Sequence, residues 1–276
     1  MRLISGTTRT AAVIGSPVRH SRSPLLANAA FEAAGMDWVL VALDVPDGAG
    51  AEAVQAARTL GLGGLMVTMP HKEAVIPALD RLTPAAAALR SVNSIAWEGD
   101  ELVGDSTDGA GLVASLLADD IGVAGRTCVV LGAGGAARSV VWALAEAGAE
   151  RVLVVNRTAE RAHVAAALAG SRGDVGESDD VGTADLVVNA TSVGMGVAAG
   201  ADGPLPVDAD LLRPGQVVVD LVYQPLETPL LRAARAAGAH PVDGLGMLVH
   251  QAALSIRRWT GADPDLAAMS LAARQR

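Results

Sequence analysis

Lys72 is the only lysine of this chain, because 20 of its 21 basic residues are arginine. Arginine replaces lysine well on a surface but cannot release its proton near neutral pH. A lysine kept in so arginine-rich a chain is either a chance survivor or a residue that handles a proton. Composition alone leaves both readings open. The chain also holds only four Asn, one Tyr and one Phe among abundant Ala and Gly, which reads as a compositional drift away from these types and makes the survivors candidates for positions where a substitute fails. Other polar groups that could bind a ligand stand at the ends of apolar runs. Ser21 and Ser23 follow a strand in VIGSPVRHSRSP, and Ser23 before Pro24 also reads as a helix N-cap with proline at the first helical position. Thr68 and Lys72 occupy a strand end and the next turn in MVTMPHKEAV. Asn93 lies in the strand-like run SVNSIAW, Asp108 in the turn of GDSTDGAG, and Gln251 on the first turns of the last helical region.

A second constellation reads as a phosphate cradle. TCVVLGAGGAARSVVWAL is strand, tight turn and helix, with Gly132, Gly134 and Ala137 at dinucleotide-turn spacing. The first glycine permits the turn, the second lets a pyrophosphate approach the backbone, and the alanine permits close helix packing. The helix N-terminus then offers free amides and a positive dipole end. After the next strand, RVLVVN, an NAD site would carry an acidic residue for the ribose 2′-hydroxyl. Here stand Asn156, Arg157 and Thr158, with Arg161 beyond them. Arginine grips a 2′-phosphate, so NADP is expected over NAD. LVVNATSVGM adds Asn189, Thr191 and Ser192 at another strand end, where open α/β sheets face their ligands.

Positioning these groups requires alternating elements. The runs TAAVIG, WVLVALDV, GGLMVTM, SVNSIAW, TCVVLGA, RVLVVN, DLVVNAT and QVVVDLVY read as strands. Ala-rich helical patterns lie between most of them, near residues 24–35, 50–60, 108–118, 135–147, 158–169 and 228–237, with a last helical region after about 244. Such alternation predicts βαβ units and parallel sheets. The chain changes character near Asp108 and again near Gly244. The expected fold class is therefore α/β with two domains. An N-terminal α/β substrate domain of residues 1–107 plus 244–276 is interrupted by an inserted Rossmann-type dinucleotide-binding domain of residues 108–243, and a C-terminal helix returns to the first. The cleft between two such domains is the expected ligand site.

Composition excludes several classes. With 51% hydrophobic and 18% charged residues and a net charge of −9, the 276-residue chain reads as soluble and globular, with no attraction for nucleic acid or anionic membranes. An anionic substrate would have to be drawn by a local site. No apolar run reaches the length of a membrane span, and MRLISGTTRT lacks the pattern of a secretory leader. The single cysteine, Cys128, reads as a buried small hydrophobe. These features predict a cytoplasmic protein.

Taken together and in order, GSPVRHSRSP, VTMPHK, SVNS, GDSTDG, GAGGAAR, NRT, NATS, DLVYQPLETPLL and GMLVHQA resemble the shikimate dehydrogenase family from about Val13 to Gly261. The resemblance implies an oxidoreductase that moves a hydride between NADPH and a ring carbonyl, interconverting 3-dehydroshikimate and shikimate. It implies Lys72 and Asp108 as the catalytic pair. Ser21, Ser23 and Gln251 would hold the carboxylate or ring hydroxyls, with Thr68, Asn93 and Tyr223 as further substrate contacts. The implied cofactor set is Gly132, Gly134, Gly135, Ala136, Asn156, Arg157, Thr158, Arg161, Asn189, Thr191, Ser192 and Gly244, with no metal. The expected partner is a cyclohexene or cyclohexane carboxylate, with no nucleic acid and no membrane, for a monomer or homodimer. Met66, Ser106 and Ala27 depart from the usual strings. The competing readings are a quinate or amino-substituted shikimate or quinate dehydrogenase, a silent NADP-binding regulator that should have lost Lys72 or Asp108, and a methylenetetrahydrofolate dehydrogenase, which leaves HSRSP unexplained.

Overall fold

The run RTAAVIG forms β1 (Arg9–Gly15), whose last five residues are buried. The computed structural model to which it belongs describes residues 4–198 and 200–275; the outermost residues of the expected first domain (1–3 and 276) and residue 199 lie outside them. The chain forms two compact units. One contains the residues up to Thr107 and those from Val249 onward, and the other is Asp108–Leu248.

In the first unit, β1, α1 (Ser23–Ala33), β2 (Trp38–Asp44), α2 (Gly50–Thr59) and β3 (Gly64–Val67) make two crossovers, so β2 and β3 pair in parallel with β1. β4 (Arg81–Leu82), α3 (Pro84–Leu89), β5 (Ser94–Glu98) and β6 (Glu101–Asp105) complete a six-stranded sheet of order β2-β1-β3-β5-β6-β4. This sheet is mixed where a parallel one was expected: β5 runs antiparallel to β3 and to β6. Only Gly99 and Asp100 join β5 to β6, with Gly99 at φ +64°, and a two-residue link makes a hairpin but cannot span a crossover. At the free edge, Asn28 of α1 pairs with β2 as a strand would. Its Nδ2 donates to Leu40 O at 2.9 Å and its Oδ1 accepts from Leu40 N–H at 2.8 Å.

The second unit is more regular. α4 (Asp108–Ala118), β7 (Thr127–Leu131), α5 (Gly135–Glu146), β8 (Arg151–Val155), α6 (Ala159–Ala166), β9 (Gly173–Val175), β10 (Leu186–Asn189), β11 (Val217–Asp220), α7 (Pro229–Ala236) and β12 (His240–Val242) follow along the chain, with short 3₁₀ turns in place of α-helices between β9, β10 and β11. All strand pairs are parallel, in the order β12-β11-β10-β7-β8-β9. The four inner strands β7, β8, β10 and β11 are near-continuous valine and leucine runs, as a sheet covered on both faces demands. Gly109 lets α4 lie against α5: its N–H donates to Ser139 Oγ at 2.7 Å, and a Cβ there would run into the Ser139 carbonyl.

α8 (Leu245–Thr260) contains the second boundary between the units, and α9 (Leu266–Arg274) follows. The part of α8 in the first unit is bolted to that unit's sheet. Trp259 Nε1 donates to Ile95 O at 2.9 Å, and Arg258 ion-pairs with Glu98 at 2.6 Å and Asp105 at 2.7 Å. Gly64 makes room for the indole, since a Cβ there would overlap it. α9 packs on α1, where the Arg22 guanidinium donates to Ala273 O. Among the described residues, no helix is long and apolar enough to cross a membrane.

Candidate active site

The first unit gathers its polar groups around a buried trio. Asn93 sits one residue before β5 and is 4% exposed. Its backbone spans the neighbouring segments: its N–H donates to Asp105 O at 3.0 Å, and its carbonyl accepts from Val67 N–H at 2.8 Å. Its side chain meets Thr107 and Gln251. Asn93 Oδ1 accepts from Thr107 N–H at 2.7 Å, and Asn93 Nδ2 donates to Thr107 Oγ1 at 3.0 Å and to Gln251 Oε1 at 3.3 Å. Thr107 Oγ1 also donates to the Gln251 carbonyl at 3.2 Å. Gln251, 158 residues beyond Asn93, reaches it because the far end of α8 is anchored to the sheet. Thr107, 2% exposed, was not singled out from sequence, although it lies inside the string GDSTDG.

Lys72 is half-buried at the end of a pinned turn. Thr68 N–H donates to Ile14 O at 2.9 Å, His71 N–H to Thr68 O at 3.0 Å, and Val92 N–H to Lys72 O at 2.8 Å. His71 is wholly buried with Nε2 2.8 Å from Val45 O, a second anchor for this turn that sequence reasoning missed. Gly15 permits the close approach, since a Cβ there would overlap the Thr68 methyl.

The capping expectation for Ser23 is corrected. α1 begins at Ser23 itself, with Arg22 at the cap and no side-chain cap bond. Ser21 Oγ instead accepts from Ser23 N–H at 3.3 Å. Pro24 has no N–H to cap, and the Ser23 amide is one of the first-turn donors that lack an acceptor within the helix. All three departures from the family strings turn out to be interior: Ala27 is fully buried in α1, Met66 is 3% exposed within β3, and Ser106 is 6% exposed.

In the second unit the strand order reverses between β7 and β10, and ligands of open α/β sheets bind off the strand ends at that point. After β7, Gly132 takes φ +107°, and its N–H donates to Val155 O at 2.8 Å. Gly134 caps α5, and Cβ atoms placed on Gly134 or Gly135 would meet nothing within 4 Å. Ala136 is exposed beside them, while Ala137 is fully buried beneath. After β8, Asn156 Nδ2 donates to Thr158 O at 3.0 Å, and Arg157 and Arg161 are exposed. An open backbone turn at a helix N-terminus, with arginines and no carboxylate at the next strand end, fits a dinucleotide bearing a 2′-phosphate.

After β10, the Asn189 side chain is fully committed. Its Nδ2 donates to Asp220 Oδ1 at 2.9 Å and Val193 O at 3.4 Å, and its Oδ1 accepts from Thr191 N–H at 3.1 Å and Thr191 Oγ1 at 2.7 Å. Expected as a ligand contact, this side chain also builds the loop, filling its donors and acceptors as a buried amide must. Thr191 and Ser192 remain accessible to a ligand. Tyr223 is half-buried beyond β11, and Gly244 presses on that strand's end, where a Cβ would lie 2.5 Å from Leu221 O. Asp220 was also missed. Burial pushes its carboxyl above the ordinary carboxylate range, against bonds from Thr228, Val222 and Asn189 that pull it down. Asp108 opens α4 in this unit, whereas Lys72 belongs to the first.

Residues 13–95 match the shikimate dehydrogenase substrate binding domain, 114–195 the shikimate / quinate 5-dehydrogenase domain, and 244–272 the shikimate 5′-dehydrogenase C-terminal domain. A protein of Moorella thermoacetica named shikimate dehydrogenase (NADP(+)) is 45% identical over 282 residues, covering 99% of this chain and 95% of that one. The crystal structure of a shikimate dehydrogenase in complex with NADP+ superposes with a TM-score of 0.91 at 35% identity, covering 98% of this chain and 96% of that one. The Thermus thermophilus enzyme in complex with NADP(H) and shikimate gives 0.87 at 39% identity, covering 96% and 98%. With such identity along nearly its whole length, the chain belongs to the shikimate dehydrogenase family.

Proposed function

We propose that the protein catalyses the reversible NADPH-dependent reduction of 3-dehydroshikimate to shikimate. The observation that carries this reading is the 45% identity, over 99% of the chain, with a relative of that name, in a chain that keeps both Lys72 and Asp108. NADPH, when bound, supplies the hydride; the protein positions the groups and handles one proton. Negative charge develops on the ring oxygen during reduction. Lys72 as an ammonium stabilises that charge and supplies the proton, and Asp108 accepts from the neighbouring ring hydroxyl. Ser21, Ser23, Thr68, Asn93, Tyr223 and Gln251 hold the carboxylate and remaining hydroxyls. The amides after Gly132 receive the pyrophosphate, and Arg157, with Arg161 behind it, reads the 2′-phosphate. Thr191, Ser192 and Gly244 complete the cofactor side. Release of this cofactor and an acidic organic product suits a cytoplasmic enzyme.

Initial rates with shikimate and quinate, each with NADP and NAD, test the reading. Shikimate with NADP should give the highest kcat/KM. A preference for quinate would move the chain to the related activity on the same fold. Arg157→Ala should raise the KM for NADP by about tenfold while leaving that for NAD nearly unchanged, as loss of one charge-assisted contact predicts. Equal damage with both cofactors would show that Arg157 does not read the phosphate.

A further inference from the structure

Asp220 is a carboxylate with no exposed surface, and neither the hydride nor the proton step uses it. It ends β11 directly beside Asn189, its register partner at the end of β10. Its Oδ1 accepts from Asn189 Nδ2 at 2.9 Å and from Val222 N–H at 3.1 Å, and its Oδ2 accepts from Thr228 Oγ1 at 2.6 Å. Each donor belongs to a different segment. Asn189 passes the constraint on, since its Oδ1 receives both the amide and the hydroxyl of Thr191, and Thr191 Oγ1 then receives Val193 N–H at 3.2 Å. Val222 immediately precedes Tyr223. Thr228 caps α7, where its Oγ1 accepts from Leu231 N–H at 3.3 Å. The Gly244 backbone lies against the same strand end, since a Cβ there would be 2.9 Å from Asp220 O.

We propose that Asp220 is a positioning residue that sets, by direct and relayed hydrogen bonds, the loops carrying Thr191 and Tyr223. This rests on the assignment of those two residues to ligand contacts. Burying a carboxylate is costly unless its oxygens are filled. Here they are filled by one donor from each segment that must be held. What matters for the two loops is the placement of the acceptor oxygen shared by Asn189 and Val222 rather than a full charge. An asparagine keeps an oxygen for Asn189 and Val222, the two donors that lead to the loops, and gives up only the acceptor for the Thr228 hydroxyl. An alanine leaves three buried donors without acceptors.

Asp220→Ala and Asp220→Asn separate these cases. NADP affinity is read by calorimetry, and the mobility of each loop by hydrogen exchange of the ligand-free protein. Asp220→Ala should weaken NADP binding about tenfold, the equivalent of about 1.4 kcal/mol, and speed exchange in residues 189–195 and 221–224 together. Exchange in the Gly132–Ala137 turn should stay unchanged. Asp220→Asn should stay within about threefold of the parent protein in affinity, with both loops protected. If the alanine variant does not fold, Asp220→Ser takes its place, whose short side chain falls away from the donors that lead to both loops, with the same joint loosening expected. Two variants that behave alike, or exchange that rises in one loop only, would overturn the proposal. A parent protein that fails to bind NADP would refute the functional reading, while the exchange comparison would still decide the role of Asp220.

Discussion

At the scale of single residues, the sole lysine gives the sharpest test. If Lys72 supplies the proton, acetylation at that position should lower kcat at least about a hundredfold, the usual worth of one positioned acid. NADP affinity should be kept, because the residues assigned to the cofactor include no lysine. Lys72→Arg should fail as well, since arginine keeps the charge but does not give up its proton. Full turnover of protein acetylated at Lys72, verified by mass spectrometry, would return that residue to ordinary structure. Ser21 rather than Ser23 supplies the side-chain acceptor at the start of α1, and the expected stabilities follow. Ser21→Ala removes the acceptor for Ser23 N–H and should cost up to about 1 kcal/mol in denaturant unfolding, whereas Ser23→Ala should cost less. The opposite ranking would restore Ser23 as the cap. Lys72 was legible in the sequence because its residue type is scarce, and Thr107 was not, because threonine carries no such contrast. Asp220 was invisible for a different reason: its meaning lies in its neighbours across β10 and α7, which no spacing along the chain announces.

At the scale of elements, β7, β8, β10 and β11 of the second unit could be read directly, because each is an apolar run bounded by glycine or polar residues, whereas the three-residue edge strands β9 and β12 carry no such signal. The β5–β6 hairpin could not. ELVGD is short and half-polar, and its strand character comes from pairing with SIAWE rather than from its own residues. The late helix α8 could be recognised, but not the means by which it is held. Gly64, Trp259 and Arg258 fasten it to the sheet, and it carries Gln251 to Asn93. Gly64→Ala should therefore do two things. It should destabilise the protein by about 1–3 kcal/mol, as overpacking does, and it should raise the KM for the substrate while sparing the affinity for NADP. Unchanged substrate KM in a destabilised variant would show that the seat of Trp259 does not govern Gln251.

At the scale of the whole molecule, the net charge of −9 gives no long-range attraction for an anionic substrate. Raising ionic strength from about 10 to about 150 mM should leave kcat/KM for shikimate within about twofold. A steep fall with salt would reveal a steering field that the composition does not suggest. Three of the four asparagines fell inside motifs with chemical meaning, and only Asn28 lacked a reason to survive. Its reason is the edge of the first sheet. Beyond Leu40, the outer strand β2 leaves Val41 and Leu43 38% and 44% exposed, a sticky border for any other extended chain. By occupying the outward amide and carbonyl of Leu40, Asn28 shortens the stretch on which a foreign strand could nucleate. Its loss should show less in catalysis than in colloidal behaviour. Asn28→Ala should scatter more light than the parent protein as concentration rises, and a protein crowded among its own copies would depend on this one amide to remain dispersed.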